Sequence, residues 1–357
     1  MVTRRDAVMV EALAAVAPGR PLREGVDRII LANKGALIVV GDSPEVLAIC
    51  SGGLLIDAEF TPQRLSELAK MDGAIILSSD ASRIARANVH LVPNPNVPTA
   101  EAGTRHRTAE RVARSIDVPV ISVSEDLSII AVYRNDSKHQ LEETPRLLAR
   151  ANQALSTLER YKVRLDTVSG SLSALEVEDL VTVRDVATVL QRAEMVRRIA
   201  EEVDGYTIEL GTDGRLVLLQ LEELMGGVED DRRRVIMDYV NSGSKWTADQ
   251  ALAALSDLEN EDLLETSTTA ALLRLPTDQS ALDTNVTPRG YRILSKVPRI
   301  PEAVVEHLVT HFGTLQKIMR ASVAELDDVE GVGHVRAKAI KEGLARLAET
   351  SILDRYS

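Results

Sequence analysis

The chain has 357 residues, of which 45% are hydrophobic and only 3% aromatic, so two or three domains are expected, with cores built from Leu, Ile, Val and Ala. No uninterrupted apolar run reaches the roughly 18 residues of a membrane span, no apolar stretch precedes Glu11 to suggest a secretory signal, and the single Cys50 makes neither an intramolecular disulfide nor a zinc site alone. These features predict a cytoplasmic protein. The net charge of −12 divides as −3 over residues 1–145, −10 over 146–290 and +1 over 291–357, so a polyanion would be repelled by the middle and tolerated by the tail.

Residues 1–145 mix periodicities. Gly35-Ala-Leu-Ile-Val-Val-Gly and the run Val46 to Cys50 are short apolar segments bounded by Gly, Asp and Pro, which predict strands. Thr61-Pro-Gln-Arg-Leu-Ser-Glu-Leu-Ala-Lys predicts a helix with Thr61 as N-cap and Pro62 in the first position. Further strands are expected from Gly73-Ala-Ile-Ile-Leu-Ser-Ser, from Arg83 to Val92, from Val118 to Val123 and from Leu127 to Tyr133, with Thr104 to Ile116 helical after its first few residues. Such interleaving means an α/β domain with a central mixed sheet flanked by helices.

From 146 to 290 the pattern turns helical. Leu147 to Leu165, Val181 to Val203 and Arg232 to Tyr239 are heptad-like, and Arg215-Leu-Val-Leu-Leu-Gln is ambiguous between helix and strand. An all-α spacer or assembly element is expected, with the run Glu229-Asp-Asp-Arg-Arg-Arg on a solvated helix face. Thr287-Pro-Arg-Gly is a breaker cluster, read as a hinge into a helical tail at 291–357.

The common nucleotide motifs are absent: there is no G-x-x-x-x-G-K-[ST], and no G-x-G-x-x-G follows a strand. Gly103-Thr-Arg-His-Arg-Thr opens a helix instead. Unpaired amides and a partial positive charge at a helix start suit an anion. Thr104 and Thr108 add hydroxyls, and Arg105 and Arg107 add forked donors matched to phosphate oxygens. An ordinary surface helix start is the competing reading. Asp72-Gly73-Ala74 stands at the mouth of a strand, where a carboxylate can hold a divalent metal or help deprotonate a hydroxyl; a plain Asp-Gly turn is the alternative. If the substrate is ATP, a metal is expected to neutralise the leaving pyrophosphate.

Taken in order, Leu22-Arg-Glu-Gly-Val-Asp-Arg-Ile, Gly35-Ala-Leu-Ile-Val-Val-Gly, Asp72-Gly-Ala and Gly103-Thr-Arg-His-Arg-Thr-Ala resemble the diadenylate cyclase family across about residues 8–145. The resemblance implies that Asp72 serves metal binding, by Mg²⁺ or Mn²⁺, and activation of the ribose 3′-hydroxyl. It implies that Gly73 lies against the nucleotide, that Leu91 meets adenine with its backbone, and that Thr104, Arg105, His106, Arg107 and Thr108 form the phosphate-binding turn, with Ser124 a further phosphate contact. Asp72, Arg105, His106 and Arg107 are the implied catalytic set, although His106 is also readable as an imidazole bracing the turn. Because cyclic di-AMP has two identical halves, each 3′-oxygen attacks the other nucleotide's α-phosphorus, which asks for two sites facing across a two-fold axis.

In the tail, Val329-Glu-Gly-Val-Gly-His-Val-Arg-Ala-Lys resembles a helix-hairpin-helix motif with Gly331-Val332-Gly333 as the hairpin. Its glycines permit a tight turn at which the next helix's amides meet a DNA phosphate. Val332 is the expected core anchor, and Arg336, Lys338 and Lys341 add charge. The segment around Ile300-Pro301 reads as a degenerate copy without glycines, so a five-helix tandem is expected to contact backbone phosphates without reading sequence. A helix–helix turn in a protein-interaction module is the alternative, since Asp327, Asp328 and Glu330 crowd the hairpin. Cyclase domain, acidic spacer and hairpin module together resemble the DNA integrity scanning family, which implies octamers and activity answering to branched DNA. A DNA-binding scaffold that senses ATP without converting it, and a nucleotidyltransferase with another acceptor, remain the competing readings.

Overall fold

The computed structural model describes residues 4–125, 129–241 and 246–356. Its contacts gather into two units, residues 2–153 with 203–219 and residues 154–202 with 220–357. In chain order the first comprises α1 (Arg4–Ala15), α2 (Pro21–Leu31), β1 (Ala36–Val40), α3 (Pro44–Ala48), β2 (Cys50–Ser51), β3 (Leu54–Glu59), α4 (Pro62–Leu68), β4 (Ala74–Leu77), β5 (Arg83–Leu91), α5 (Thr104–Ser115), β6 (Val120–Val123), β7 (Ile130–Arg134) and β8 (Ser137–Gln140). Two long helices, α6 (Thr144–Glu178) and α7 (Val183–Leu210), and then α8 (Arg215–Met225) contribute to both units.

The sheet runs β2-β5-β4-β1-β6-β7-β8, with β3 also paired to β5. Only β1 and β4 are parallel; the other described pairs are antiparallel. All five β1 residues are buried because both faces are covered. Ile38 packs with Val26 and Ile29 of α2 and Leu65 of α4, whereas Leu37 and Val39 pack with Val46 of α3 and Ala109 and Val112 of α5. The expected α/β layering with a mixed sheet is what forms.

Local signals explain most elements. Thr61 Oγ1 accepts from the Arg64 amide at 3.1 Å and Pro62 opens α4. The run Val46 to Cys50 is not a strand. Ser43 Oγ accepts from the Val46 amide and Pro44 takes the first position, so residues 44–48 close into α3 before β2 starts at Cys50. Leu127 and Ser128, the start of another expected strand, lie outside the described residues; the strand present is β7. Strands β3, whose Leu54 and Leu55 are exposed, and β8, which has no apolar run, were not expected. The ambiguous segment at 215–220 lies in α8.

The second unit continues with α9 (Val228–Tyr239), α10 (Ala248–Ser256), α11 (Asn260–Leu264), α12 (Thr266–Leu272), α13 (Tyr291–Ser295), α14 (Glu302–Phe312), α15 (Leu315–Arg320), α16 (Val323–Asp327) and α17 (Gly333–Tyr356). The charge run in α9 is not a wholly solvated face. Arg232 is buried and bonds to Glu194, which is fully buried and also takes Arg197 and Arg198 at 2.8 and 2.9 Å. Burial works against the Glu194 charge, but these guanidiniums outweigh it and hold the carboxyl below its usual range.

Thr287-Pro-Arg-Gly leads into α13 but is held fast and is no hinge. Arg289 donates to the Met237 carbonyl at 2.6 Å, and Asp238 accepts from the Gly290, Tyr291 and Arg292 amides at 2.7, 2.7 and 3.0 Å. Arg292, with no exposed surface, pairs with the equally buried Glu176 at 2.6 Å and reaches Ser169 and Ser173. Burial, and then the Glu176 charge, push the Asp238 carboxyl up to about 7. Breaking a buried pair strands its partner's charge, at a cost of about 3–5 kcal/mol, whereas an exposed pair contributes about 0–1 kcal/mol. Arg292→Met is therefore expected to lower the unfolding free energy in urea by about 3–5 kcal/mol, and Arg184→Met, which breaks the exposed Asp283 pair, to leave it almost unchanged. Equal losses would show that the junction carries no special weight.

Candidate active site and nucleic-acid interface

Strand register decides which residues meet. β1 and β4 are parallel, so Gly35 and Gly73, just ahead of them, share one edge of the sheet. β6 runs the other way with Val123 opposite Ala36, which brings Ser124 to that edge. β5 runs opposite to β4 with Val89 facing Ala74, which brings Leu91 there as well. The start of α5 joins them, since Arg105 Nη2 donates to Asp72 Oδ1 at 3.1 Å. Asp72, Gly73, Leu91, Arg105 and Ser124, assigned from separate motifs, therefore converge.

Asp72 is 94% exposed and Arg105 38%, so this is a weak surface pair in which both groups can take other partners. Gly35 lets the guanidinium lie across the sheet edge: a Cβ there would sit 2.8 Å from Arg105 Nη1 and 3.1 Å from the Val123 carbonyl. The motif containing Gly35 was noted, but its part in the site was not; only the fold shows the approach. Gly73 is needed for a related reason, as its Cβ would fall 2.6 Å from Asn88 Cα, where the β4–β5 register shifts and Asn88 has φ of 53°. Leu91 is buried and pairs with Cys50. The Ser124 amide donates to the Ile129 carbonyl at 2.9 Å.

Helix α5 begins at Thr104 itself, earlier than expected, with Gly103 as an N-cap that offers no side chain. The first helical bond is from the Arg107 amide to the Gly103 carbonyl at 2.9 Å, so the amides of Thr104, Arg105 and His106 have no intrahelical acceptor. Arg107 is exposed. Thr108 differs from expectation: its hydroxyl donates back to the Thr104 carbonyl at 2.9 Å, so its hydrogen points into the helix. His106 is half-buried, with Nδ1 2.9 Å from the Tyr133 hydroxyl. Burial lowers its basicity; Glu101 opposes this, while Lys138 and Arg105 add to it. Tyr133, Glu101 and Lys138 carry no sequence motif and were not singled out.

Metal-binding clusters of three or more His, Cys, Asp or Glu are absent among the described residues. A lone exposed carboxylate suits Mg²⁺, which keeps several waters and takes most of its remaining ligands from substrate phosphates. The residues present thus fit a cation that arrives with a nucleotide. The clefts of about 550 and 630 Å³ in this unit are lined by other residues, among them Asp42 and Arg134 in one and Arg20 and Asp80 in the other.

In the tail, α13 to α17 enclose a core of Leu294, Val304, Leu308, Leu315, Val332 and Ile340, with Val332 2% exposed as the expected anchor. Gly331 and Gly333 have φ of 81° and 57°, the left-handed conformation that the hairpin demands. The first hairpin reaches the same conformation without glycine, through Arg299 at φ 66°. Arg336 bonds back to the Gly331 carbonyl, and Lys338 is exposed with Glu342 at 3.9 Å. Lys341 is not available to a phosphate in the expected way, because its ammonium caps the end of α15 through the Met319 and Ala321 carbonyls at 2.7 and 2.6 Å.

Comparison with known families agrees with this division of labour. Residues 23–138 match the family described as DisA bacterial checkpoint controller nucleotide-binding, residues 141–282 its linker region, and residues 291–346 a SAM-like helix-hairpin-helix tandem. The DNA integrity scanning protein DisA of Frankia alni is 57% identical over 98% of both chains. The chain belongs to this family. The DisA proteins of Streptomyces coelicolor and Kineococcus radiotolerans are similar at 54% identity, covering 98% of this chain and 95% of that one, and at 53%, covering 98% of each.

The Gly35 approach gives a direct test of the edge. Gly35→Ala should push the Arg105 guanidinium aside and weaken ATP binding, read by isothermal titration, by about tenfold, since small misplacements of binding groups are costly. An unchanged affinity would mean that Arg105 does not need that path.

Proposed function

We propose that residues 1–145 condense two ATP into cyclic di-AMP with release of two pyrophosphates, that residues 291–357 bind DNA, and that the acidic helices of 146–290 join the two activities. The observation that carries this reading is the 3.1 Å contact between Asp72 and Arg105 at the one edge where the strand ends meet. Their chemistry is complementary to a nucleotide undergoing in-line attack. The unpaired amides of α5, with Arg105 and Arg107, hold the triphosphate and stabilise the charge that grows on the departing pyrophosphate. Gly73 and Leu91 border the nucleotide with backbone rather than side chain. Ser124 adds a polar contact from the end of β6. A divalent cation, Mg²⁺ or Mn²⁺, held by Asp72 and the substrate's own phosphates, would neutralise the leaving group. Asp72 would also receive the proton of the attacking 3′-hydroxyl.

The site is an open edge, and the product has two equivalent halves, so a second copy supplies the other nucleotide across a two-fold axis. A homo-oligomer follows, an octamer by the resemblance. The hairpins at Arg299 and at Gly331 and Gly333 take the DNA backbone, with Arg336 and Lys338 beside the second, and recognition rests on shape, branched DNA included, rather than on base sequence. The proposed ligands, ATP and DNA, fit a cytoplasmic protein.

Incubation with ATP and Mg²⁺ or Mn²⁺ should yield cyclic di-AMP by mass, and Asp72→Asn should abolish product while leaving ATP binding largely intact. Binding without product would favour a nucleotide-sensing scaffold; a different dinucleotide or adduct would point to another acceptor. For the tail, Gly331→Glu with Gly333→Glu should abolish retention of branched DNA in a gel shift while sparing cyclisation in the absence of DNA. Full retention in that variant would remove the hairpin from the interface.

A further inference from the structure

The Tyr133 side chain is almost fully enclosed, with 1% of its surface exposed, yet its hydroxyl is the partner of an imidazole in the phosphate turn. We propose that Tyr133, backed by Glu101 and Lys138, is a positioning residue for the cyclisation: it fixes the tautomer and pose of His106, so that Nε2 presents a lone pair at the start of α5. The proposal rests on the cyclase reading above.

The argument is a count of hydrogens. Lys138 Nζ lies 2.6 Å from Glu101 Oε1 and 5.6 Å from the centre of the Tyr133 ring. Burial works against the Glu101 charge, but the Lys138 ammonium outweighs it, so the carboxylate is ionised and can only accept. Tyr133 has one hydroxyl hydrogen and two neighbours, Glu101 and His106 Nδ1. The ionised carboxylate is the stronger acceptor of the two, so on this proposal it takes that hydrogen. The phenol oxygen then accepts the Nδ1 hydrogen of His106, and a neutral imidazole protonated at Nδ1 carries its lone pair on Nε2.

The ring's other edge faces the turn. His106 Cδ2, bonded to Nε2, would be 3.5 Å from a Cβ built on the N-cap Gly103, and among the described residues nothing bonds Nε2. The charged and titratable groups around the imidazole are Tyr133 from β7, Lys138 from β8, Glu101 ahead of α5 and Arg105 on α5. Amide and guanidinium groups at this turn are all donors. Nε2 adds an acceptor, suited to an O–H and unsuited to an anionic phosphate oxygen. On a nucleotide, the O–H groups are those of the ribose. Without Tyr133 an imidazole in water prefers its hydrogen on the other nitrogen, and the turn would then lose the imidazole acceptor.

A double-mutant cycle tests this. Cyclic di-AMP formation is measured for the full chain, Tyr133→Phe, His106→Ala and the double variant, with binding of 3′-deoxy-ATP, which lacks the attacking hydroxyl, measured in parallel. Tyr133→Phe is expected to lower kcat by about ten- to a hundredfold, the cost of a misplaced site group, to change 3′-deoxy-ATP affinity by no more than about threefold, and in the His106→Ala background to change kcat by no more than about twofold. An equal drop in both backgrounds, or no drop in either, overturns the proposal. Where Tyr133→Phe fails to fold or His106→Ala is too slow to measure, Glu101→Gln decides. It leaves the phenol in place, and kcat should fall while the thermal midpoint holds; an unchanged kcat overturns the relay. If the unaltered protein makes no cyclic di-AMP, the cyclase reading itself fails, which is a separate result.

Discussion

The parallel pairing of β1 with β4, bracketed by antiparallel β6 and β5, is the constraint on which the site depends. Four strand ends far apart in sequence share one edge only because of those directions and that register. A slip of one residue would turn every side chain to the other face, and both faces here are packed, against α2 and α4 on one side and α3 and α5 on the other. The core therefore enforces the register, and the register assembles the edge. Backbone, more than side chain, lies there, which accounts for glycine at 35 and 73, where a Cβ would strike Arg105 or Asn88.

Against that fixed frame the Asp72–Arg105 pair is weakly held. Both groups reach solvent, Asp72 almost completely, so their attraction contributes little to stability. The weakness suits the proposed chemistry. A carboxylate that must meet a cation and a guanidinium that must meet a phosphate can separate at small cost, whereas a buried pair would hold each away from its ligand. Position is supplied by Gly35 and by the first turn of α5, and pairing is left loose.

Much of this was legible in the sequence where local chemistry decides the outcome. Thr61 and Pro62 start α4, Gly331 and Gly333 take the left-handed turn, and the Asp-Gly-Ala and Arg-His-Arg motifs, read together, meet through Asp72 and Arg105. Where long-range contacts decide, it was not. Val46 to Cys50 is a local exception: the run is apolar enough for a strand, but Ser43 and Pro44 next to it give it a helix start. Arg232 sits in a charge run that reads as solvated, yet Glu194, 38 residues away, draws it inward. Lys341 has the spacing of a phosphate ligand but is spent on two carbonyls of α15. Tyr133 is an ordinary core aromatic in its strand, and nothing short of the fold reveals His106 beside it.

The buried ionic junction settles how the tail is joined to the spacer. Arg292 and Glu176 have no exposed surface, and Asp238 receives three amides at the start of α13. An apolar contact of equal volume would hold as well or better, since desolvating two charges offsets most of their attraction. What the charged arrangement adds is direction: a forked guanidinium, a carboxylate and two serine hydroxyls satisfy one another in a single geometry. A breaker sequence that would otherwise leave α13 free to swing is thereby fixed in one orientation. With a spacer of net charge −10 beside a tail of +1, that orientation also has an electrostatic consequence. Repulsion from the spacer reaches only about 8–10 Å at physiological salt, so its acidic charge acts on a polyanion at the tail only where the two come within that distance.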